Sequence, residues 1–233
     1  MKEVHKMKRI LSLLLILVCF TLLLAGCGDK AKTENVTVTI VNKSGEVVLA
    51  LKNVKAKDLD DDDKINIYEA LKAAHKTCPA GEDGFAAENG SYGLSMTKLW
   101  GEENGGSFGY YVNEASAMAL TDEVKAGDRI VAFAYTDTVG FSDRFSYFTP
   151  MTATKSASES VTLTLTALIP DANWNFVPTA VAGAKITVNG TATEYVTDAE
   201  GKVTLTLAKG ENLISATSDA LNLIPPVAKI TIK

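Results

Sequence analysis

Five of the six residues from Asp58 to Asp63 are aspartates, and Glu69 follows within a run that reads as a helix. Neighbouring like charges repel, so such a run is tolerated only where a cation, a set of backbone N–H groups or open solvent offsets it. Counted from Asp58, side-chain oxygens recur at positions 1, 3 and 5 (Asp58, Asp60, Asp62). A backbone carbonyl falls at position 7 (Lys64), another side-chain oxygen at position 9 (Asn66), and Glu69 stands at position 12. Alternate side chains of a tight loop point inward, and a two-oxygen glutamate closes such a cage from the helix that follows. This is the all-oxygen shell that calcium takes. A second account needs no metal: Asn66 with Glu69 three residues later is a helix capping box, and acids near a helix N-terminus are favoured by its dipole. Capping accounts for Asn66, Glu69 and one aspartate, and leaves the remaining carboxylates and Ile65 unexplained.

In ligand spacing the segment resembles the twelve-residue EF-hand calcium loop, with Asp63 at the sixth position where a glycine is usual. Asp63 must therefore adopt a left-handed conformation, which aspartate tolerates better than most residues. The element before the loop reads as a strand, so the expected arrangement is one loop-plus-helix half-site, similar to dockerin-like segments, that serves stability more than signalling. Other chemistry is scarce. His75 and Cys78 stand three apart at the end of the helix, a spacing that can hold a metal or activate a thiol, yet no third helper lies nearby and a histidine there is favoured by the helix dipole alone. No phosphate-binding, dinucleotide-binding or nucleophile-elbow motif occurs. The expectation is a binding protein and not an enzyme.

The N-terminus sets the compartment. Lys2, Lys6, Lys8 and Arg9 precede an apolar run from Ile10 to Leu24, and small residues then lead into Cys27. That layout is a secretory signal, too short for an ordinary membrane span. Leu24-Ala25-Gly26-Cys27 resembles the bacterial lipobox, which implies removal of residues 1–26, lipidation of Cys27 and a protein anchored to the membrane on its extracytoplasmic side. Without the signal, Lys+Arg falls from 23 to 19 and Asp+Glu from 28 to 27, for a formal charge of −8. Such an acidic chain is poorly suited to nucleic acid, and membrane contact is expected through the lipid alone. Cys19 leaves with the signal and Cys27 carries lipid, so Cys78 has no partner for an internal disulfide.

Residues 27–35 read as a tether. Val36, Val38 and Ile40 alternate with threonines, and Val47–Leu51 follows the turn Asn42-Lys43-Ser44-Gly45, a hairpin signal. Ile67, Ala70, Leu71 and Ala74 then follow helical spacing up to Cys78-Pro79. Pro79–Ser91 reads as a surface loop, and strands are expected at Tyr92–Leu99, Ser107–Val112 and Arg129–Tyr135. Residues 151–160 are rich in Thr, Ser and Ala and read as a linker. Beyond them, strict alternation from Val161 and regularly spaced turns predict a small antiparallel sandwich over 161–233, with Trp174 and Phe176 packed inside it and ligand contact as the lesser alternative for the pair.

The helix Asn66-Ile-Tyr-Glu-Ala-Leu-Lys-Ala-Ala, the strand Ser107-Phe-Gly-Tyr-Tyr-Val-Asn113 and the turn Val124-Lys-Ala-Gly-Asp-Arg-Ile130 make residues 36–150 similar to the transcobalamin C-terminal-like domain of bacterial surface proteins. The resemblance implies a β-grasp-like fold with one main helix, and a binding role. Residues 161–233 resemble carboxypeptidase-regulatory-like and bacterial Ig-like modules, through Ala182-Gly-Ala-Lys-Ile-Thr-Val-Asn-Gly190 and Thr197-Asp-Ala-Glu-Gly201. The expected fold class is α+β followed by all-β. Trp100, Tyr110 and Tyr111 flank the glycine-rich 101–106 loop and can form a ligand-stacking wall, although alternate members of such a strand also serve as core. The resulting functional expectation is capture of a small ligand, corrinoid-like if the resemblance extends that far. The alternative is an adhesion or envelope protein that recognises a macromolecule. A concavity beside the aromatic strand separates the first from the second.

Overall fold

The computed structural model describes residues 31–233; the signal segment and Cys27 lie outside the described residues. Lys32–Lys233 form one compact unit, mostly β, with a single α-helix among the described residues. In chain order its first strands are β1 (Thr33–Val41) and β2 (Val47–Lys57), then helix α1 (Ile67–His75). These are followed by β3 (Ala86–Gly90), β4 (Gly93–Leu99), β5 (Glu102–Glu103), β6 (Phe108–Val112), β7 (Ala115–Ser116) and β8 (Arg129–Ala134).

The first sheet has the order β2-β1-β8-β6-β7. The β1–β2 pair is antiparallel and β1–β8 is parallel, so α1 and the β3-β4-β5 sheet lie in the long connection that a parallel pair requires. Period-two alternation splits the faces. Val36, Val38, Ile40, Ile130 and Ala132 form one side of a core closed by Ile67, Ala70, Leu71 and Ala74 of the helix. Helix α1 starts where the sequence signals it: the Asn66 side chain accepts from the Glu69 N–H, and the Glu69 carboxylate accepts from the Asn66 N–H. The segment expected as a loop over 79–91 instead contains β3, because Asn89↔Leu94 and Gly90↔Gly93 close a tight hairpin onto β4.

The remaining strands are β9 (Arg144–Thr149), β10 (Thr152–Lys155), β11 (Val161–Pro170), β12 (Phe176–Ala180), β13 (Lys185–Val188), β14 (Thr191–Val196), β15 (Lys202–Leu205), β16 (Gly210–Thr217), β17 (Leu223–Ile224) and β18 (Ala228–Ile232). They form a sandwich. One sheet is β10-β18-β16-β13-β14, and the other is β12-β11-β9-β17 with β15 also paired to β11. Val161, Leu163, Leu165 and Ala167 alternate inward, as their spacing predicts, against Ile186, Ile214, Ala216 and Ile230. Two strands fall where the sequence suggested otherwise. The residues read as a linker supply β10, which pairs in parallel with β18. β9, placed by sequence in the first half, pairs with β11 and β17. A third apolar layer of Val41, Tyr111, Phe133, Phe145, Leu168 and Ile224 fills the space between the first sheet and β9–β11.

Candidate functional site

The acidic loop is organised around one carboxylate. Asp58 Oδ1 accepts the N–H groups of Asp60 (3.2 Å) and Asp61 (2.8 Å), and Oδ2 accepts that of Asp63 (2.9 Å). Asp61 and Asp63 take left-handed backbone conformations, φ 59° and 61°, the second at the position where the loop spacing demands it. Ile65, fully buried, anchors the loop to the core, and its carbonyl accepts the Val124 N–H at 2.8 Å. Glu69 is 2% exposed and reaches back so that one oxygen accepts from Leu59 and the other from Asn66.

Asp58, Asp60 and Glu69 therefore present carboxylate oxygens within 4.8 Å of one another. Burial opposes ionisation of Asp58, but the N–H groups of Asp63, Asp61 and Asp60 outweigh it and hold the carboxyl below its usual value. For Glu69 burial dominates, the charges of Asp60 and Asp58 add to it, and the carboxyl is pushed up despite its two N–H donors. Three converging carboxylates, two of them buried and none ion-paired to lysine or arginine among the described residues, suit a hard cation. Of the other expected ligands, Asp62 and Asn66 lie outside this trio: the Asp62 carboxylate accepts the Lys64 N–H, and the Asn66 side chain caps the helix. The metal account and the capping account are compatible at Asp58 Oδ2 and at both Glu69 oxygens, which accept one N–H each and keep a further lone pair, whereas Asp58 Oδ1 already accepts two.

The three aromatics expected to form a ligand wall do not share a surface. Trp100 and Tyr110 pack against the helix-side core, and the Trp100 N–H donates to His75 Nε2 at 3.0 Å. Tyr111 points to the opposite face of β6 and stacks on Phe145 at a centroid distance of 4.0 Å. Alternation along a strand separates adjacent residues in this way. His75 donates from Nδ1 to Leu71 O (2.7 Å), so both ring nitrogens are bonded to backbone and the imidazole is held neutral. Cys78 is buried.

A concavity does lie beside β6, on the Tyr111 side. A groove of about 270 Å³ is lined by Tyr111, Glu114, Ser116, Tyr147, Leu168 and Phe176 among others. Glu114 also lines a larger cleft, of about 560 Å³, with Asn53, Arg129, Met151 and Lys229. The Glu114 carboxylate accepts from Arg129 Nη2, while Arg129 Nε is buried without a hydrogen-bond partner. Tyr147, Glu114 and Arg129 were not singled out as site residues by sequence, and Phe176 was read chiefly as core. The only signal was the alternation of aromatics in Arg144-Phe-Ser-Tyr-Phe148, which does not reveal the sheet that strand joins.

Trp174 and Phe176, expected in the sandwich core, are 80% and 51% exposed. They sit at and just after the β11–β12 turn, where the Asp171 carboxylate accepts the N–H groups of Asn173 and Asn175, both at 2.8 Å, and the Asn175 side-chain amide. The turn holds Trp174 in a left-handed conformation at φ 63°. The reason for their exposure is positional: β12 is an edge strand, and Phe176 pairs with Pro170 on the face opposite Leu165 and Ala167.

No protein-family model matches this chain, and no curated protein matches it in sequence. Among solved structures, the fibronectin(III)-like modules of Clostridium thermocellum CbhA are similar at 12% identity over 87% of this chain and 94% of theirs, with a TM-score of 0.29. A Dscam structure is similar at 14% identity over 55% of this chain, with a TM-score of 0.26. A third is SGBP-B of the Bacteroides ovatus mixed-linkage glucan utilization locus, in complex with mixed-linkage heptasaccharide, at 14% identity over 64% of this chain and a TM-score of 0.23. The chain spans 38% and 36% of the length of the last two. The functional reading therefore rests on this chain's own residues.

Proposed function

We propose that this chain is an extracytoplasmic binding protein, anchored through a lipid on Cys27, with a β-grasp-like first module braced by calcium and an Ig-like second module. Its ligand is captured in the cleft on the Tyr111 side of β6. The observation that carries the reading is the concavity beside the aromatic strand, where Tyr111, Tyr147 and Phe176 line a groove with Glu114 and Ser116, as small-molecule sites combine apolar walls with a few polar groups. The parallel β1–β8 pair with α1 across one face supports the β-grasp-like assignment. The adhesion alternative would be favoured by a flat sheet face; the concavity favours capture. The reading is of a binding protein without catalysis, in keeping with a neutral, doubly bonded His75 and a buried Cys78.

Calcium is assigned to Asp58, Asp60 and Glu69, where it would offset the mutual repulsion of buried carboxylates and hold the loop onto α1. Thermal unfolding of the unlipidated chain with calcium and with chelator tests this. For a dissociation constant of about 10⁻⁴–10⁻³ M, about 10 mM calcium stabilises the native state by ~1.4–2.7 kcal/mol, or ~3–11 °C in a chain of this size. Asp60→Asn removes the exposed member of the trio and is expected to abolish most of the shift. Equal melting of wild type and variant with and without calcium refutes the metal. Equilibrium dialysis with cobalamin tests the corrinoid class, and retention that Tyr147→Ala does not weaken refutes the cleft as its site.

A further inference from the structure

Four lysines meet where the chain enters the fold. A groove of about 250 Å³ between the edge strand β2 and helix α1 is lined by Lys55, Lys57, Lys72 and Lys76, together with Leu59 and the carboxylates Glu69 and Glu82. None of the four lysines is ion-paired among the described residues, although the chain without its signal carries a formal charge of −8. Lys72 Nζ lies 5.7 Å from the centroid of the Tyr68 ring, a contact that leaves its charge unneutralised. Protection of a free sheet edge accounts for lysines on β2, and the helix dipole accounts for one near the end of α1. Neither explains why the two pairs converge on one concavity, where like charges repel one another and draw an anion.

The place of the groove selects the anion. Lys57 pairs with Thr33, the first residue of β1, and Lys55 with Asn35. The Lys32 carbonyl accepts the Asp58 N–H at 2.9 Å and Lys32 Nζ donates to the Asp63 carbonyl at 3.0 Å, so the start of the fold is fixed beside the groove. The chain from Cys27 to Thr33 can span at most about 22 Å. A lipid on Cys27 therefore keeps the groove within reach of bilayer headgroups, at a high effective concentration. Leu59, 48% exposed on the groove wall, adds an apolar group that a headgroup layer accommodates. We propose that the groove of Lys55, Lys57, Lys72 and Lys76 docks on anionic phosphate headgroups of the membrane that holds Cys27. The proposal rests on the lipid-anchor part of the proposed function, and it extends membrane contact from the lipid to the fold itself. Asp60–Asp63 border the same end and oppose the approach of phosphate, an opposition that calcium on Asp58, Asp60 and Glu69 would reduce.

The test couples the chain 27–233 through its Cys27 thiol to maleimide lipid in vesicles of phosphatidylcholine, alone or mixed with phosphatidylglycerol; Cys78 is buried and does not compete. Amine acetylation is followed lysine by lysine by mass spectrometry, with calcium and with chelator. Labelling of Lys55, Lys57, Lys72 and Lys76 is expected to slow by about threefold or more on the anionic vesicles, with Lys209 and Lys233 unchanged and the contrast lost in about 0.5 M salt. Protection in either calcium or chelator supports the groove. Equal labelling on both vesicle types under both conditions, or protection that extends equally to Lys209 and Lys233, overturns it. Protection of the unanchored chain by soluble polyphosphate, with none on anionic vesicles, overturns the membrane and makes a dissolved polyanion the occupant. Lys55→Gln with Lys57→Gln, both at exposed positions, should melt like wild type and weaken the protection of Lys72 and Lys76. Undiminished protection of that pair overturns a single docking groove. The anchor is tested separately: an N-terminal peptide of the cell-expressed full chain that carries no lipid on Cys27 removes the anchor, and with it this partner, even where the coupled chain is protected.

Discussion

The aromatic layer beneath the cleft depends on one missing side chain. Gly109 pairs with Phe133 across β6 and β8, and the Phe133 ring lies over its α-carbon. A β-carbon built at Gly109 would stand 2.4 Å from Phe133 Cζ, 2.8 Å from Cε1 and 3.1 Å from Cε2, where carbon atoms in contact normally sit about 3.5–4.0 Å apart. Phe133 is 1% exposed and in edge contact with Tyr135 at 4.8 Å, so its ring has no free volume to enter. Gly109→Ala therefore overpacks the layer at a cost of ~1–3 kcal/mol. Reduced freedom of the unfolded chain returns ~0.4–1 kcal/mol, so the net loss is centred on ~1.3 kcal/mol and is at most ~2.6 kcal/mol, a fall of ~3–5 °C in melting temperature at the centre. Urea unfolding of wild type, Gly109→Ala, Phe133→Leu and the double variant measures it. In the Phe133→Leu background the alanine should be nearly neutral, with a coupling of about 1 kcal/mol or more. An alanine that costs the same in both backgrounds, or that stabilises the wild type, refutes the reasoning.

Other consequences follow from the same contacts. Burial holds the His75 imidazole below its ordinary value of 6.5, with the Leu71 hydrogen bond acting weakly the other way. The unfolded chain then binds a proton that the folded chain does not as pH falls below about 6.5, so stability is lost on acidification there. His75→Gln should flatten this dependence in urea unfolding between about pH 8 and pH 5.5, and an unchanged slope would assign it to other groups. Asn66→Ala removes the cap of α1 and should cost ~1 kcal/mol in chemical unfolding. A change well below about 0.3 kcal/mol would mean that the loop holds the helix without its cap. Asp171→Ala releases three hydrogen bonds of the β11–β12 turn, and Trp174 fluorescence anisotropy should fall while the melting temperature changes little. Unaltered anisotropy would show that the turn is held by its backbone bonds alone.

Local physics made part of this protein legible from its residues. The capping pair Asn66 and Glu69, the apolar face Ile67, Ala70, Leu71 and Ala74, and the inward alternation of Val161, Leu163 and Leu165 each involve neighbours a few positions apart, and each stands in the fold as its spacing indicates. The left-handed turn at Asp63 follows from loop spacing in the same way. The division of Tyr110 from Tyr111 is of the same local kind, since adjacent residues of a strand face opposite sides. The cleft was not legible. Tyr147 reaches Tyr111 only because β9 crosses into the second sheet, and Glu114 meets Arg129 only because β7 and β8 flank β6. Trp174 had the composition of a core residue, yet it is displayed because its hairpin ends on an edge strand, where no further sheet covers it. Short-range hydrogen bonding and period-two patterning act within a few residues and can be read from order alone. Which strands become neighbours depends on burying surfaces far apart in the chain, and that competition decided where the cleft lies.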